Sequence, residues 1–411
     1  MNPFELKPAK IETLLMNWKD MSPVPYDTRE VDPYTKTRII LMNGTEFESV
    51  WFSHQFTRHT ADNDLRRALA MMRRQEQQQQ KLIGALKPLN EDVLAHTIGY
   101  EQLAIDLTAA LARREEDPYV KQALDFALLE DFDHLYRYAD LMDFDQGVHA
   151  ERLVGHYTEI MPGRPTIAHH RHPFDSVNYP VLNQTASPVT KLCAGIITAA
   201  EQQTMNYYMN VAPFYPKEYG RRLYREIAMV EEQHVTHYES LQDPTMGWLD
   251  RLVLHDYNEA YMYWSCMESE VDPRIKRIWE EHLAMEIGHL HHDRQLMQRL
   301  EKRDPTEMFG AFPKPTTFHD NKAYVREILA SQVELTAREN EYVPVSSLPK
   351  DHRYHSHQEM VNDGGATAPS VVVIDRHIRE NGLDYRFESE GAHPVEGLRS
   401  REGMSLEVGR R

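Results

Sequence analysis

Three stretches of this chain place a carboxylate and a histidine three residues apart on what otherwise reads as the apolar stripe of a long helix. In the first, Val120, Leu124, Ala127, Asp131, His134, Tyr138 and Leu141 share a face; in the second, Leu223, Ile227, Glu231, His234, Tyr238 and Leu241 do. The third runs Ile275, Trp279, His282, Glu286, His289 and Leu296. Residues three and four apart point to the same side of a helix, so acid and imidazole both face the core. Burying unpaired charge costs several kcal/mol, which means such acids need partners, and a metal ion is the strongest candidate. The alternative for any one of them is an ion pair with a buried Arg or His.

The motif by itself is weak. With 64 acids and 22 histidines among 411 residues, chance alone supplies about three acid-x-x-His pairs, and the chain has four, the last being Glu390 and His393. Register is more informative. Glu101 precedes Asp131 by 30 residues, Glu201 precedes Glu231 by 30, and Glu259 precedes Glu286 by 27. Each earlier acid lies on its own apolar stripe, at a comparable distance from the turn between the two helices. At about 1.5 Å rise per residue the two acids of each hairpin meet at nearly the same depth.

Helical periodicity spans 61–302, with helices expected near 61–86, 91–115, 118–144, 188–211, 217–241, 247–271 and 273–302. Breaks such as Asp117-Pro118 and Asp272-Pro273 suit an N-cap followed by proline at the first helical position. Residues 1–60 read as an N-terminal arm holding a short β-hairpin, in which Asn43-Gly44 joins Ile39–Met42 to 45–52. One long connection, about 145–187, contains His169-His170-Arg171-His172 and reads as a solvated loop, as do His352, His355 and His357. Gln77–Gln80 reads as a polar helix face. Tyr207, Tyr208, Tyr261, Tyr263 and Trp264 read as core aromatics. Residues 303–411 read as an extended C-terminal arm or tail.

The paired hairpins resemble the ferritin-like superfamily of carboxylate-bridged di-iron and di-manganese proteins, in which two helices give one Glu each and two others give Glu-x-x-His. The resemblance covers about 91–241 and extends toward 302. It implies an all-α, ferritin-like helical bundle with an extra helical hairpin and the two arms. It also implies Glu101, Asp131, His134, Glu201, Glu231 and His234 as ligands of two Fe or Mn ions, and the 145–187 connection as the family's long crossover. Asp131 stands where the family has Glu, with Glu130 as its possible substitute. The extra hairpin, with Glu259, Glu286 and His289, ranks second, as another site, a substitute or a relic.

The function expected from this ligand set is an oxidoreductase acting on O2, peroxide or an organic substrate and drawing on an external electron donor. The alternatives are an iron-handling or sequestering protein and a metal-free helical scaffold for a partner protein. A net charge of −18 argues against nucleic acid and anionic membranes as partners. Apolar runs are short, Cys193 and Cys266 are the only cysteines, and no signal sequence is evident, so a cytoplasmic protein is expected. The arms suggest a homo-oligomer. No P-loop, Gly-x-Gly-x-x-Gly or His-Glu-x-x-His string occurs.

Overall fold

The computed structural model describes residues 1–382 and Arg386; Glu390 and His393 lie outside the described residues. Among the described residues the fold is an all-α helical bundle with a single two-stranded ribbon. The helices are α1 Pro33–Arg58, α2 Asn63–Gly84, α3 Val93–Ala112, α4 Pro118–Gln146, α5 Glu151–Val154 and α6 Pro188–Val211. They continue with α7 Glu218–Glu239, α8 Trp248–Ser269, α9 Pro273–Leu300, α10 Lys322–Gln332, α11 Arg353–Asn362 and α12 Pro369–Asn381. No helix is long and apolar enough to cross a membrane.

Aspartates start many of these helices. Asp32, Asp117 and Asp272 accept hydrogen bonds from first-turn amides, each followed by proline, and Asp62 and Asp92 cap α2 and α3 in the same way. These caps satisfy donors that the helix itself leaves without partners. Gly147 ends α4 at φ +67°, a left-handed conformation that suits glycine.

The chain forms two compact units, and neither follows the 61–302 stretch expected to be the bundle. The first comprises Met1–Glu91, Pro180–Gln203 and Gln242–Phe318, and the second Asp92–Tyr179, Thr204–Leu241 and the chain from His319. In the first unit α1 packs on α2 and α8, and α9 packs on α8 and α2. The N-terminal strap lies over α2 and α9. Gln78 donates to the Met16 carbonyl at 2.7 Å, the side chain of Gln75 bonds the Ile11 carbonyl, and the Ala9 carbonyl lies close against Gly288.

In the second unit α3 and α7 pack on α4, and α12 packs on both α4 and α7. Residues beyond 303 are therefore not simply an arm, because α10, α12 and the ribbon cover α4 and its surroundings. α4 is buried almost continuously from Val120 to Asp143.

The expected hairpin at 39–52 is corrected to helix. Asp32-Pro33 caps α1 strongly, and Ile39, Met42, Glu46, Ser49, Ser53 and Phe56 recur inward at helical spacing. Asn43-Gly44 sits mid-helix, where Asn43 donates to Gln203 at 2.5 Å. A Cβ on Gly44 would lie 3.0 Å from the Gln203 Cβ, so close packing explains the glycine better than a turn does. The ribbon lies instead at β1 Leu335–Arg338 and β2 Glu341–Pro344, pairing antiparallel from Leu335↔Pro344 to Arg338↔Glu341.

Gly44→Leu should destabilise the protein by about 1–3 kcal/mol, as overpacking in a dense core does. Chemical denaturation followed by far-UV circular dichroism checks this; an unchanged midpoint would remove the close contact with Gln203 as the reason for glycine here.

Candidate metal centre

The second unit brings Glu101 from α3, Asp131 and His134 from α4, and Glu231 and His234 from α7 into one buried cluster. Oxygen or nitrogen atoms of Glu101, Asp131, His134 and Glu231 all lie within 4.8 Å of one another. His134 Nδ1 is 3.0 Å from Glu231 Oε1. His234 Nδ1 is 3.2 Å from both Asp131 Oδ1 and Glu231 Oε2. Glu201 is buried on α6 in the part of that helix belonging to the first unit.

The outer partners of the two histidines determine which ring nitrogen faces the acids. His169 Nε2 is 2.5 Å from the Arg164 carbonyl, which can only accept, so that nitrogen carries the proton. Burial holds the His169 imidazole well below its ordinary pKa and hence neutral. Its Nδ1 therefore accepts from His134 Nε2 at 3.2 Å. On the other side His234 Nε2 donates to Glu130 at 2.8 Å. Burial alone would raise the Glu130 carboxyl, but Arg171, the His234 hydrogen bond and Arg164 together hold it well below the usual range.

Both imidazoles thus donate outward through Nε2 and turn Nδ1 toward carboxylates. A bare lone pair facing a carboxylate oxygen is repulsive, so either a proton or a shared cation must lie between them. Two ligands on one ion at about 2.1 Å and at right angles lie about 3.0 Å apart. The observed 3.0 and 3.2 Å separations fit that spacing. Asp131 Oδ2 has no hydrogen-bond partner among the described residues and is wholly buried.

Glu130 does not replace Asp131. Arg171 Nη1 contacts both its oxygens, at 2.6 and 2.8 Å, and Arg164 adds a contact at 3.2 Å. It is the outer anchor of His234, an arrangement that orients metal-binding imidazoles in general. His169 and Arg171 are buried, not solvated, so the 145–187 connection supplies part of the centre. A helical pattern was never going to reveal them, although four basic residues in a row within an acidic chain were a signal. Tyr208 donates to Glu101 at 2.5 Å, and burial keeps its phenol protonated by raising it well above the ordinary value. A cavity of about 470 Å³ in the same unit is lined by His170, Arg171, Met229 and Gln233 among others.

Glu259, Glu286 and His289 belong to a separate cluster in the first unit, together with two acids that sequence reasoning missed, Glu46 and Glu76. A third group, Asp140, Asp143 and His377, already holds a cation of the chain's own. Arg386 contacts Asp140 at 2.9 Å and Asp143 at 2.7 Å, and binds Glu151 through its other nitrogens. His352, His355 and His357 are half-buried or exposed on and before α11, with His352 capping it. Tyr208, Tyr261 and Tyr263 are buried core residues, and burial pushes the Cys266 thiol up to about 12, leaving it inert.

No protein-family model, curated protein or solved structure matches this chain.

Glu130→Ala should cost about 3–5 kcal/mol, because it strands Arg171 and Arg164 in the interior; thermal unfolding checks it. A second outcome concerns Asp293, whose carboxyl is raised to about 8 by burial and by Glu76 and Glu286, against the pull of Asp256 and His289. Its protonated form is the one the fold favours. Metal-free protein should therefore lose stability as pH rises from about 4 to 8. Asp293→Asn should make that dependence shallower, with Glu46, Asp256 and Glu259 supplying the remainder, and melting temperatures measured across this range test it.

Proposed function

We propose that the second unit houses a dinuclear Fe or Mn centre and that the protein is an oxidoreductase acting on O2, peroxide or an organic substrate. The observation that carries this reading is the pair of inward Nδ1 atoms, His134 opposite Glu231 and His234 opposite Asp131 and Glu231. Oxygen donors with one imidazole per ion suit Fe and Mn by ligand type. Asp131 and Glu231 are the acids best placed to serve both ions, because each approaches His234 while Glu231 also approaches His134 and Asp131 shares a group with it. Glu201, which lies in the first unit, is the remaining carboxylate of the set that the ferritin-like resemblance implies, and that likeness stands as part of the same proposal.

Such ions supply two-electron redox chemistry with O2 or peroxide. The chain's own residues do the rest. Tyr208 donates a hydrogen bond to Glu101 and so restrains that carboxylate beside Asp131, His134 and Glu231. The His169–His134 and Glu130–His234 contacts fix both rings, so ligand geometry is established before anything binds. Arg171 links the centre to the cavity: its side chain holds Glu130, its amide bonds the Gln233 side chain at 2.7 Å, and both residues line the cavity wall. Through that wall an organic substrate would approach on the side of His234.

The supporting measurement is Fe and Mn content and O2 uptake of the purified chain, with Glu231→Ala alongside. The variant should contain about two fewer ions per chain, as expected for one dinuclear centre, and should lose uptake by the Fe(II)-loaded protein. Equal metal content in both proteins would end this reading. A chain that binds metal but never consumes O2 or peroxide would leave a metal-binding bundle and remove the oxidoreductase.

A further inference from the structure

The first unit buries a cluster of acids for which it offers almost no positive charge. Glu46 on α1, Glu76 on α2, Glu259 on α8 and Glu286 on α9 are each at most 2% exposed. None of the ion pairs among the described residues joins these four to a lysine or arginine; the one basic partner is His289. Its Nδ1 lies 2.9 Å from Glu76 Oε1 and 3.1 Å from Glu286 Oε2. Its Nε2 is 2.9 Å from Gln75 Oε1, and Gln75 uses its own amide hydrogens on the Ile11 carbonyl of the strap. The ring therefore donates outward through Nε2 and turns Nδ1 inward, as the two imidazoles of the second unit do.

Glu259 supplies an independent observation. Both its oxygens are buried without a hydrogen-bond partner among the described residues. Yet it lies with Glu46 and Glu76 in a group whose ligand atoms are all within 4.8 Å of one another. A carboxylate stripped of water and given neither donor nor counter-ion is strongly disfavoured. The acids fall into two overlapping groups, Glu76 with Glu286 and His289, and Glu46 with Glu76 and Glu259. Glu76 belongs to both, and its Oε2 has no hydrogen-bond partner among the described residues.

We infer that the first unit holds a second centre of its own, in which two divalent cations are bridged by Glu76, one completed by Glu286 and His289 and the other by Glu46 and Glu259. This goes beyond the oxidoreductase reading and does not rest on it. Four carboxylates and a neutral imidazole balance the charge of two divalent ions. The spacing supports it as well: Glu46 and Glu76 are 30 residues apart, the interval between Glu101 and Asp131 and between Glu201 and Glu231.

One difference sets the chemistry. Gln79 stands three residues after Glu76, at the place where His134 follows Asp131, and it donates to Glu286 Oε1 at 2.6 Å instead of offering a nitrogen lone pair. The position between Glu46, Glu76 and Glu259 is consequently built from oxygen alone, which favours hard ions such as Mn(II) over softer ones. Tyr263 donates to Glu46 and receives His282 Nδ1 at 3.1 Å, which restrains that wall.

Mn(II) is the probe. In a Glu231→Ala/His234→Ala chain, which removes the second-unit centre, titration followed by electron paramagnetic resonance should show about two Mn(II) bound per chain. Adding Glu259→Gln and Glu286→Gln, which preserve shape while removing charge, should abolish that binding. Anomalous diffraction at the manganese edge from crystals of the native chain decides the question even if those variants do not fold. Peaks beside Glu76 and His289 support the inference. Their absence from Mn(II)-soaked crystals means that protons alone neutralise these acids, and overturns it. Peaks beside His134 and His234 report separately on the second unit, so either centre can fail without the other.

Discussion

Three buried imidazoles, His134, His234 and His289, face carboxylates through Nδ1 because something outside each ring occupies Nε2. The outer partners differ: a neutral histidine, an ionised glutamate and a glutamine side chain. Their effect is the same. Each takes the ring's outward hydrogen and so decides where its basic lone pair lies, a choice an isolated imidazole would leave open. Much of the surrounding architecture exists to hold these partners. The connection between α4 and α6 brings His169 and Arg171 inward, and the N-terminal strap supplies the carbonyl that sets Gln75.

The two units meet the problem of buried acid in different ways. Around Glu130 and around the Asp140–Asp143 pair, arginines do it: Arg164, Arg171 and Arg386 are themselves almost wholly buried and bonded on several sides. In the cluster of the first unit, no arginine or lysine among the described residues takes that part. There burial and mutual repulsion push Glu46 and Glu259 well above the ordinary carboxylate range, and Asp256 and Asp293 are raised as well. Ordinary structural acids are accompanied by cations of the chain's own. Acids left to crowd one another in this way form a group that could hold a cation from outside.

The helical core was legible because hairpin register survives single-residue noise. An acid facing inward on one helix must meet its counterpart at equal depth on the next, and Glu101/Asp131 obeyed that rule within one unit. Glu46 and Glu76 obeyed it too, but Asn43-Gly44 suggested a turn, and a residue pair chosen for packing against Gln203 concealed a 30-residue interval already present twice elsewhere. Gln79 escaped notice for a related reason: it stands where a histidine would have completed the pattern, and Gln77–Gln80 looked like solvated surface although Gln79 is fully buried. His169 and Arg171 were beyond any periodicity argument. Their burial depends on where a connection of about 40 residues is drawn by contacts remote in sequence, such as Arg171 to Glu130 and His134 to His169. The fold of residues after 303 was hidden in the same way. α12 carries a regular inward face of its own, Ser370, Val373, Ile374 and His377, but it is short and sits in a Pro-, Gly- and charge-rich stretch, and its packing on α4 and α7 depends on contacts remote in sequence.

The order of the segments has a consequence for how the protein is made. α1 and α2 emerge from the ribosome early, yet their partners α8 and α9 follow only after Asp92–Tyr179 and Thr204–Leu241 have been synthesised. At roughly 5–20 residues per second, the α1–α2 hairpin waits about ten seconds or more before it can be enclosed. Through that interval Glu46 and Glu76 remain in water, where their charges are tolerated. The first unit closes only when Glu259, Glu286 and His289 arrive, so its acids lose their solvent together, in one late step of assembly.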